Sequence, residues 1–152
     1  MSLWRCIGRI GYWLIWPALC LYAPLTKRTR VLVRVGDEVL LVQGWLSDGK
    51  WSLPGGGLHR HEDPTRGALR EVTEETGIPL LPEQCALLAS EWYKNRGVRY
   101  FCYYFAAELP LPIVPKKQRG EISDIGWFSI DALQNLDCKP EVSRAIELWS
   151  AK

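Results

Sequence analysis

Histidine is scarce in this sequence, and cysteine occurs without the spacing that its chemistry requires. The two histidines, His59 and His61, lie in one short segment, and the five cysteines form no C-x-x-C pair. Zinc sites and disulfide frameworks depend on closely spaced ligands or on an even cysteine count. The sequence favours neither, and its odd number of dispersed cysteines is typical of a protein in a reducing compartment.

A strong excess of charge of one sign is also lacking. Nineteen lysines and arginines stand against 17 aspartates and glutamates, for a net charge of +2. Nonspecific binding to nucleic acid needs a concentrated positive field, which this sequence lacks, and we expect no nucleic-acid partner that is recognised by its base sequence. Hydrophobic residues make up 47% of the 152 residues, which is enough for one core and excludes a disordered tail or a fibre.

Charge is absent altogether from residues 10–26, a run of 17 residues. As a helix this run would be about 25 Å long, short of the roughly 30 Å hydrocarbon core of a bilayer. Pro17 and Pro24 interrupt it, and no signal-peptide cleavage site follows. Two interpretations of residues 1–25 stay open: a helix that packs on its own domain or on a second subunit, and an interfacial membrane anchor. In either case we expect this segment to serve solubility or location and not the chemistry.

Residues 1–29 form an apolar, basic N-terminal annex, and residues 30–152 have the pattern of one domain. Short β-runs alternate with helical patterns, and a proline-rich loop occupies residues 110–120. This mixture predicts an α+β fold, in which a mixed sheet is layered with helices and an extra helical segment precedes it. The predicted strands are 31–35, 39–43, 51–53, 87–94, 98–106 and 125–128, and the predicted helices are 64–76, 131–136 and 140–150.

The helix predicted over residues 64–76 carries three carboxylates on one face. Asp63 is its expected N-cap and Gly77 its expected end. Glutamates three and four residues apart repel each other, so Glu71, Glu74 and Glu75 call for a counterion. Carboxylate oxygens suit Mg²⁺ or Mn²⁺, which bridge readily to phosphates. Gly67 lies on the preceding turn of the same face, and we expect it to leave room for a ligand.

The surroundings of these glutamates match a longer motif. Gly56 is followed after five residues by Glu62 and after seven more by the run Arg70-Glu71-Val72-Thr73-Glu74-Glu75-Thr76-Gly77-Ile78. This segment resembles the box of the Nudix hydrolase family, G-x5-E-x7-R-E-U-x-E-E-x-G-U with U aliphatic, at every fixed position. The run Trp51 to Gly56 and the segment Glu121 to Phe128 are also similar to the family. The resemblance implies a mixed β-sheet between α-helices and the metal-dependent hydrolysis of a diphosphate linked to another moiety, X.

The resemblance also implies roles for individual residues. Glu71 and Glu75 correspond to metal ligands, with Glu74 as a third ligand or a base and Glu62 at the edge of the metal site. Glu74 and Glu121 are the candidate bases that take a proton from the attacking water. Arg70 belongs to the catalytic set as the residue that orients Glu71. The resemblance further implies that Gly55 and Gly56 permit close approach of the substrate to the backbone.

Two histidines depart from common usage in the family. His59 stands where glutamate is frequent, and His61 replaces the glycine that usually precedes the position of Glu62. His59 has three interpretations: a loop residue without a role, a replacement that lowers the number of metal ligands at the site, or a phosphate contact when protonated. Because glycine is usual at the position of His61, it is an open question whether this loop adopts a backbone conformation typical of glycine.

The sequence gives little information about which moiety X the protein recognises. Arg96 and Arg99, at and after a hairpin turn, are candidate phosphate contacts, with solvated turn charges as the alternative. Candidate stacking residues, which also suit a core, are Trp45, Trp51, Trp92 and Tyr93.

Three functions are therefore under consideration. The first is a Mg²⁺- or Mn²⁺-dependent hydrolase that acts on a small-molecule nucleoside diphosphate-X substrate. The second is a non-catalytic sensor with the same fold, and the third is a membrane-associated hydrolase of a lipid-linked diphosphate. We expect a cytoplasmic protein, either free or peripheral to the inner face of a membrane, with residues 1–25 as a membrane or homodimer contact.

Overall fold

The computed structural model describes residues 3–118 and 120–152. The first two residues of the predicted annex and Arg119 of the predicted loop lie outside the described residues. Three short 3₁₀ turns accompany the main elements, at Ala23–Leu25, Pro82–Gln84 and Asp131–Asn135. The helices and strands in chain order are α1 (Leu3–Tyr22), β1 (Lys27–Val35), β2 (Glu38–Gly44), α2 (Pro64–Thr76), β3 (Cys85–Asn95), β4 (Val98–Glu108), β5 (Ile122–Ser129) and α3 (Pro140–Ser150).

The five strands form one mixed sheet in the order β3-β4-β1-β2-β5. The pair β1 and β4 is parallel, and the other neighbours are antiparallel. The two predicted hairpins, β1-β2 and β3-β4, are both present. The residues predicted as a strand over 51–53 instead form isolated bridges, Trp51 with Cys138 and Ser52 with Val42.

Alternation along β1 assigns its side chains to two separate cores. Val31 and Val33 pack with Ala68 and Val72 of α2 on one face of the sheet. Leu32 packs with Val142 and Ala145 of α3 on the other face. The sheet therefore lies between α2 and α3, which confirms the predicted fold class.

Helix α1 lies against the loop between β2 and α2 and against the β3-β4 turn. The Trp4 and Trp45 rings stack with centroids 4.7 Å apart, and Arg9 donates a hydrogen bond to the Asp48 carbonyl oxygen at 3.1 Å. The absence of a side chain at Gly8 lets the helix backbone approach the Trp45 carbonyl closely. The annex is thus a helix docked along the domain.

The segment Trp4–Leu25, α1 with its following turn, is long and apolar enough to cross a membrane by length and composition, although only 11% of it is buried. It is longer than the charge-free run suggested, because the helix begins before Arg5 and Arg9. Proline at position 17 does not end the helix.

Candidate functional site

Helix α2 begins and ends where the sequence predicts. The Asp63 carboxylate accepts a hydrogen bond from the Arg66 backbone N–H at 3.0 Å, and Pro64 fills the first helical position. Gly77 adopts a left-handed conformation with φ of 69°, and its N–H bonds to the Thr73 carbonyl. These two ends fix the direction in which the glutamates of the helix project.

Arg70 lies at the centre of the carboxylate cluster. Its Nε and Nη2 each donate to one oxygen of Glu62 at 2.9 Å, and its Nη1 donates to Glu71 at 2.8 Å and to Glu74 at 3.1 Å. A fifth bond runs from Nη2 to the Gly57 carbonyl oxygen. A guanidinium has five N–H donors, so this arginine has none left for a substrate. It positions three glutamates and the preceding loop.

Glu62 is fixed from two sides. Besides its two bonds to Arg70 it accepts a hydrogen bond from the His59 backbone N–H at 2.8 Å. The hydrogen bonds from Arg70 lower the pKa of the Glu62 carboxyl to about 2. The carboxylate therefore stays ionised throughout the physiological range.

The two unusual histidines lie in the loop before α2. His61 has a φ of 63°, so this position does adopt the left-handed backbone that glycine adopts more readily. His59 is largely exposed, and its Nδ1 lies 4.0 Å from the nearer Glu62 oxygen. The loop holds Glu62 in place despite both substitutions.

Glu75 differs from the other two glutamates of α2 because, among the described residues, no cation lies at bonding distance from its partly buried carboxylate. Its Oε2 accepts a hydrogen bond from the Gly55 backbone N–H at 2.8 Å. Burial is the main cause that raises the pKa of Glu75 to about 7. The charges of Glu71 and Glu121 act in the same direction, and the Gly55 hydrogen bond and the charge of Arg30 oppose them. A cation bound beside this carboxylate would remove the penalty.

Two glycines let the catalytic loop pass close to other atoms. A side chain at Gly55 would overlap the Thr29 carbonyl oxygen, and its φ of 135° is unfavourable for other residues. A side chain at Gly56 would overlap the Glu71 carboxylate. These positions therefore serve the packing of loop against strand and glutamate as well as any approach of substrate.

The expectation for Gly67 is wrong. The space above it is filled by the Leu58 side chain, and the Glu62 carboxylate lies 3.2 Å from where a Cβ would stand. Gly67 is needed because the loop folds back over the helix, which brings Glu62 to Arg70.

The two candidate bases are both accessible to solvent. The Glu74 side chain is 49% exposed and Glu121 is exposed at the start of β5. Glu121 comes close enough to Glu75 to influence the pKa of its carboxyl. Both remain available as proton acceptors at the same cluster.

The cluster suits a divalent metal ion in donor type and charge. No group of three His, Cys, Asp or Glu side chains within residues 3–118 and 120–152 is already arranged as a metal site. The donors are hard carboxylate oxygens, and the partly buried Glu75 is influenced by the negative charges of Glu71 and Glu121, while the cation that acts on it, Arg30, is not at bonding distance. Glu71 and Glu75, with Glu74 and Glu62 beside them, are the residues that would hold Mg²⁺ or Mn²⁺.

The candidate substrate contacts are separated by the sheet. Arg96, in the β3-β4 turn with φ of 46°, lines a cleft beneath α1. Arg99 instead stacks over the Trp92 ring, 4.3 Å from its centroid, and is absent from the lining of this cleft.

Among the four aromatic candidates, Tyr93 alone lines the cleft. Trp45 stacks on α1, Trp51 packs on Phe128, and Trp92 packs on Phe101.

Sequence reasoning missed the residues of this cleft that come from α1 and β1. Arg28 was counted only as part of the basic annex and Arg30 was given no role, yet both line the cleft. The signal was present in the alternation Arg28, Arg30, Leu32 and Arg34, which gives one face of β1 a row of cations where a core strand usually has apolar residues.

Comparison with known proteins agrees with this geometry. The sequence matches the NUDIX domain family over residues 24–149. Diphosphoinositol polyphosphate phosphohydrolase 3-alpha of Mus musculus is 33% identical over 112 residues, which cover 70% of this chain and 64% of the mouse protein. The NAD-capped RNA hydrolase NudC of Stutzerimonas stutzeri (strain A1501) is 32% identical over 136 residues, 86% of this chain and 46% of that protein. The match thus spans less than two thirds of each of these relatives.

A solved structure shows the same fold. The NUDIX hydrolase from Nitrosomonas europaea superposes with a TM-score of 0.70 at 26% sequence identity, covering 84% of this chain and 89% of that one. The complete box from Gly56 to Ile78, the family match and the sheet between two helices lead to one assignment. This chain belongs to the Nudix family.

Proposed function

We propose that this protein is a divalent-metal-dependent hydrolase that cleaves a diphosphate linkage in a nucleoside diphosphate-X substrate, with attack of water at phosphorus. The observation that carries the proposal is the charge arrangement on α2. Arg70 donates four hydrogen bonds to three carboxylates and a fifth to the Gly57 carbonyl oxygen, whereas partly buried Glu75 has no cation at bonding distance within residues 3–118 and 120–152. The names of two relatives, a phosphohydrolase and a capped-RNA hydrolase, point the same way.

The position and the exposure of each glutamate suggest its role. Glu71 and Glu75, assisted by Glu74 and Glu62, would hold Mg²⁺ or Mn²⁺. The bound ion would neutralise phosphate oxygens and lower the pKa of the attacking water. Glu74 or Glu121 then accepts the proton of that water, since each is exposed beside the cluster.

The alternative of a non-catalytic sensor is disfavoured by the completeness of the cluster. A ligand-binding protein needs a complementary surface, but it has no need of both a buried metal ligand and a free proton acceptor. Arg70, Glu71, Glu74 and Glu75 are all present, and Arg70 forms salt bridges with Glu71 and Glu74.

A substrate screen with a matched variant tests this proposal. Nucleoside triphosphates, dinucleoside polyphosphates, nucleotide sugars, capped RNA and diphosphoinositol phosphates are offered with Mg²⁺ or Mn²⁺. We expect metal-dependent product release by the wild type and a loss of about 10³-fold in Glu75→Gln, because a neutral amide is a poor ligand for a hard cation. Binding without turnover would establish the sensor, and a wild-type rate for the variant in limiting Mg²⁺ would refute the ligand assignment.

We also infer that α1 places the enzyme on a lipid surface. The outward side of the helix carries large apolar residues and no charge, with Leu14 76% and Leu21 80% exposed. Its cations are bound to the domain instead, because Arg5 donates to the Gln43 side chain and Arg9 to the Asp48 carbonyl oxygen. A helix facing water has the opposite arrangement, so the outward side suits a bilayer.

Sedimentation with vesicles that contain anionic lipid tests this location. We expect the full chain to bind and the double variant Leu14→Glu/Leu21→Glu to stay in solution while it retains hydrolysis of a soluble substrate. If the full chain ignores vesicles and forms a dimer that the same double variant dissociates, the outward side is a subunit contact and the membrane inference is wrong.

A further inference from the structure

A cleft of about 320 Å³ lies between α1 and the β3-β4 hairpin. It is on the face of the sheet opposite α2, because Arg28, Arg30 and Leu32 alternate with the valines that face α2. Its volume is in the range of small-molecule sites. Part of its wall comes from α1, which precedes the family match at residue 24.

Aromatic rings line both sides of the cleft. On the hairpin side Tyr93 and Tyr100 stack with centroids 4.7 Å apart and an angle of 22° between their planes. On the α1 side Tyr12 and Trp16 meet edge to face with centroids 5.3 Å apart. Opposed aromatic surfaces favour a planar group between them.

Two cations of the cleft are influenced by the charges of nearby carboxylates, but within the described residues they form no close ion pair. Arg30 pairs with Glu141 at 2.6 Å, but Arg28 and Lys139 form no ion pair with any residue in the described parts of the chain. Burial lowers the pKa of the Arg28 guanidinium and of the Lys139 ammonium. Both side chains are partly buried, and Arg28 also lies over the Tyr100 ring, 5.4 Å from its centroid. An anionic ligand would offset the part of the burial cost that these contacts leave.

The cleft and the glutamate cluster share the loop between them. Arg30 donates a hydrogen bond to the Gly55 carbonyl oxygen, and the Gly55 N–H in turn donates to Glu75. Arg28 pairs through its backbone with Gly57. A substrate whose diphosphate reaches Glu71 and Glu75 therefore has the cleft as the adjoining space for its other moiety.

The charge of the lining narrows the class of ligand. Four cations are present, and two carboxylates, Asp48 and Glu141, partly cancel them. An inositol ring crowded with phosphates would leave the aromatic surfaces unused and would bring its charges to these carboxylates. A nucleoside offers a planar base to the rings and one phosphate chain to the unpaired cations.

We propose that α1 forms one wall of the substrate site and that Tyr12 and Trp16 determine specificity by contacting the base of a nucleotide. This inference rests on the proposed diphosphate hydrolysis for its kinetic consequences, but binding tests it separately. It replaces the expectation that residues 1–25 have no part in the chemistry, because the annex supplies side chains to the cleft.

The test compares the double variant Tyr12→Leu/Trp16→Leu with Leu14→Ala, whose side chain points away from the cleft. ADP is titrated by isothermal calorimetry, and hydrolysis is measured for ADP-ribose and for phosphoribosyl diphosphate, which has no base. We expect ADP affinity to fall about tenfold in the double variant and to be unchanged in Leu14→Ala, since base stacking on aromatic side chains commonly has an effect of this size. The KM for ADP-ribose should rise with it, while kinetics on phosphoribosyl diphosphate stay the same.

Two other outcomes would contradict either the role of α1 or the proposed activity. Equal ADP affinity in the two variants, or equal losses on both substrates, would overturn the role of α1. If the wild type binds ADP but hydrolyses neither substrate, the proposed activity fails while the ADP titration still decides the cleft. Circular dichroism and thermal melting of each variant establish that the fold is retained.

Discussion

Helices α1 and α2 distribute their charged and apolar residues in opposite ways. Helix α2 buries Ala68 and Val72 against the sheet and projects its carboxylates from another face. Helix α1 binds the domain through Arg5 and Arg9 and leaves Leu14 to solvent. An amphipathic helix is expected to bury its apolar face, and α2 does so against the sheet of its own domain. For α1 the same rule requires an apolar partner beyond the described residues.

The difference extends to how each helix meets the substrate. Glu71 and Glu74 of α2 are ordered by the Arg70 guanidinium and Glu75 by the Gly55 N–H, so their geometry is specified before any ligand binds. The inner side of α1 instead presents rings to an open cleft. We infer that α2 carries the reaction that is common to the family, and that α1 carries what is particular to this chain.

The largest expected effect concerns the proton acceptor at the α2 cluster. Glu74→Gln and Glu121→Gln should differ, and the variant that lacks the base should lose roughly 10²- to 10⁴-fold in kcat with little change in metal affinity. Steady-state kinetics with a Mg²⁺ titration measures both quantities. Small and equal losses would exclude both residues and direct attention to another acceptor.

The second prediction concerns the stability of Glu75→Gln. This variant should lose activity but gain stability in the absence of metal. The pKa of Glu75 is about 7 in the folded chain against an ordinary value of 4.5. The folded state then binds more protons between these values, so the free energy of unfolding of the metal-free protein falls as the pH rises from about 4.5 to 7. At pH 8, Glu75→Gln should be more stable than the wild type by up to about 3 kcal/mol.

Urea denaturation in EDTA at pH 5 and pH 8 measures this difference. The two proteins should have similar stability at pH 5, and Mg²⁺ should stabilise the wild type more than Glu75→Gln at pH 8. Glu74→Gln is the control, because the Glu74 side chain is half exposed. A Gln variant that is no more stable at pH 8 would show that burial does not penalise the Glu75 carboxylate.

A smaller effect is expected at Arg70. Lysine keeps the positive charge but cannot provide five donors in a planar fork. Arg70→Lys should lower kcat/KM about 10- to 100-fold and weaken metal affinity, as outer partners of metal ligands commonly do. The KM for substrate at saturating Mg²⁺ should change little if the arginine makes no substrate contact. A large rise in that KM would place Arg70 against the substrate.

Much of α2 was predictable because its signals are local. The N-cap at Asp63, Pro64 after it and the left-handed Gly77 follow from neighbouring residues alone. The spacing from Gly56 to Ile78 then identifies the carboxylate cluster. Even here Gly67 was misread, since its neighbour Leu58 reaches it through a loop whose path no local signal describes.

The cleft was not predictable because its parts are distant in sequence. Arg30 and Glu141 are 111 residues apart, and Tyr12 meets the β3-β4 hairpin only through the docking of α1. The parallel pairing of β1 with β4 also joins strands that no hairpin signal connects. Apolar and aromatic residues in the annex suit a bilayer, a subunit or a cleft equally well until the packing is known.

The smallest effect compares a glycine in each helix. Replacing a helical glycine by alanine ordinarily gains up to about 1 kcal/mol of helix propensity. At Gly67 the new methyl group would meet the end of the Leu58 side chain, which can move, whereas at Gly8 it would meet the backbone carbonyl of Trp45. Gly8→Ala should therefore weaken the docking of α1 by about 1–3 kcal/mol despite the gain in propensity.

Limited proteolysis within residues 3–22 and the quenching of tryptophan fluorescence measure this docking. Gly8→Ala should be cleaved faster and should bind ADP more weakly, whereas Gly67→Ala should leave α1 protected. Gly8 is not among the residues that line the cleft. A fall in ADP affinity in Gly8→Ala would therefore be caused by the displaced helix and not by a lost contact with ADP. If Gly8→Ala is cleaved rapidly but binds ADP with unchanged affinity, α1 does not contribute to ADP binding. Only the proposed role of its outward side would then remain.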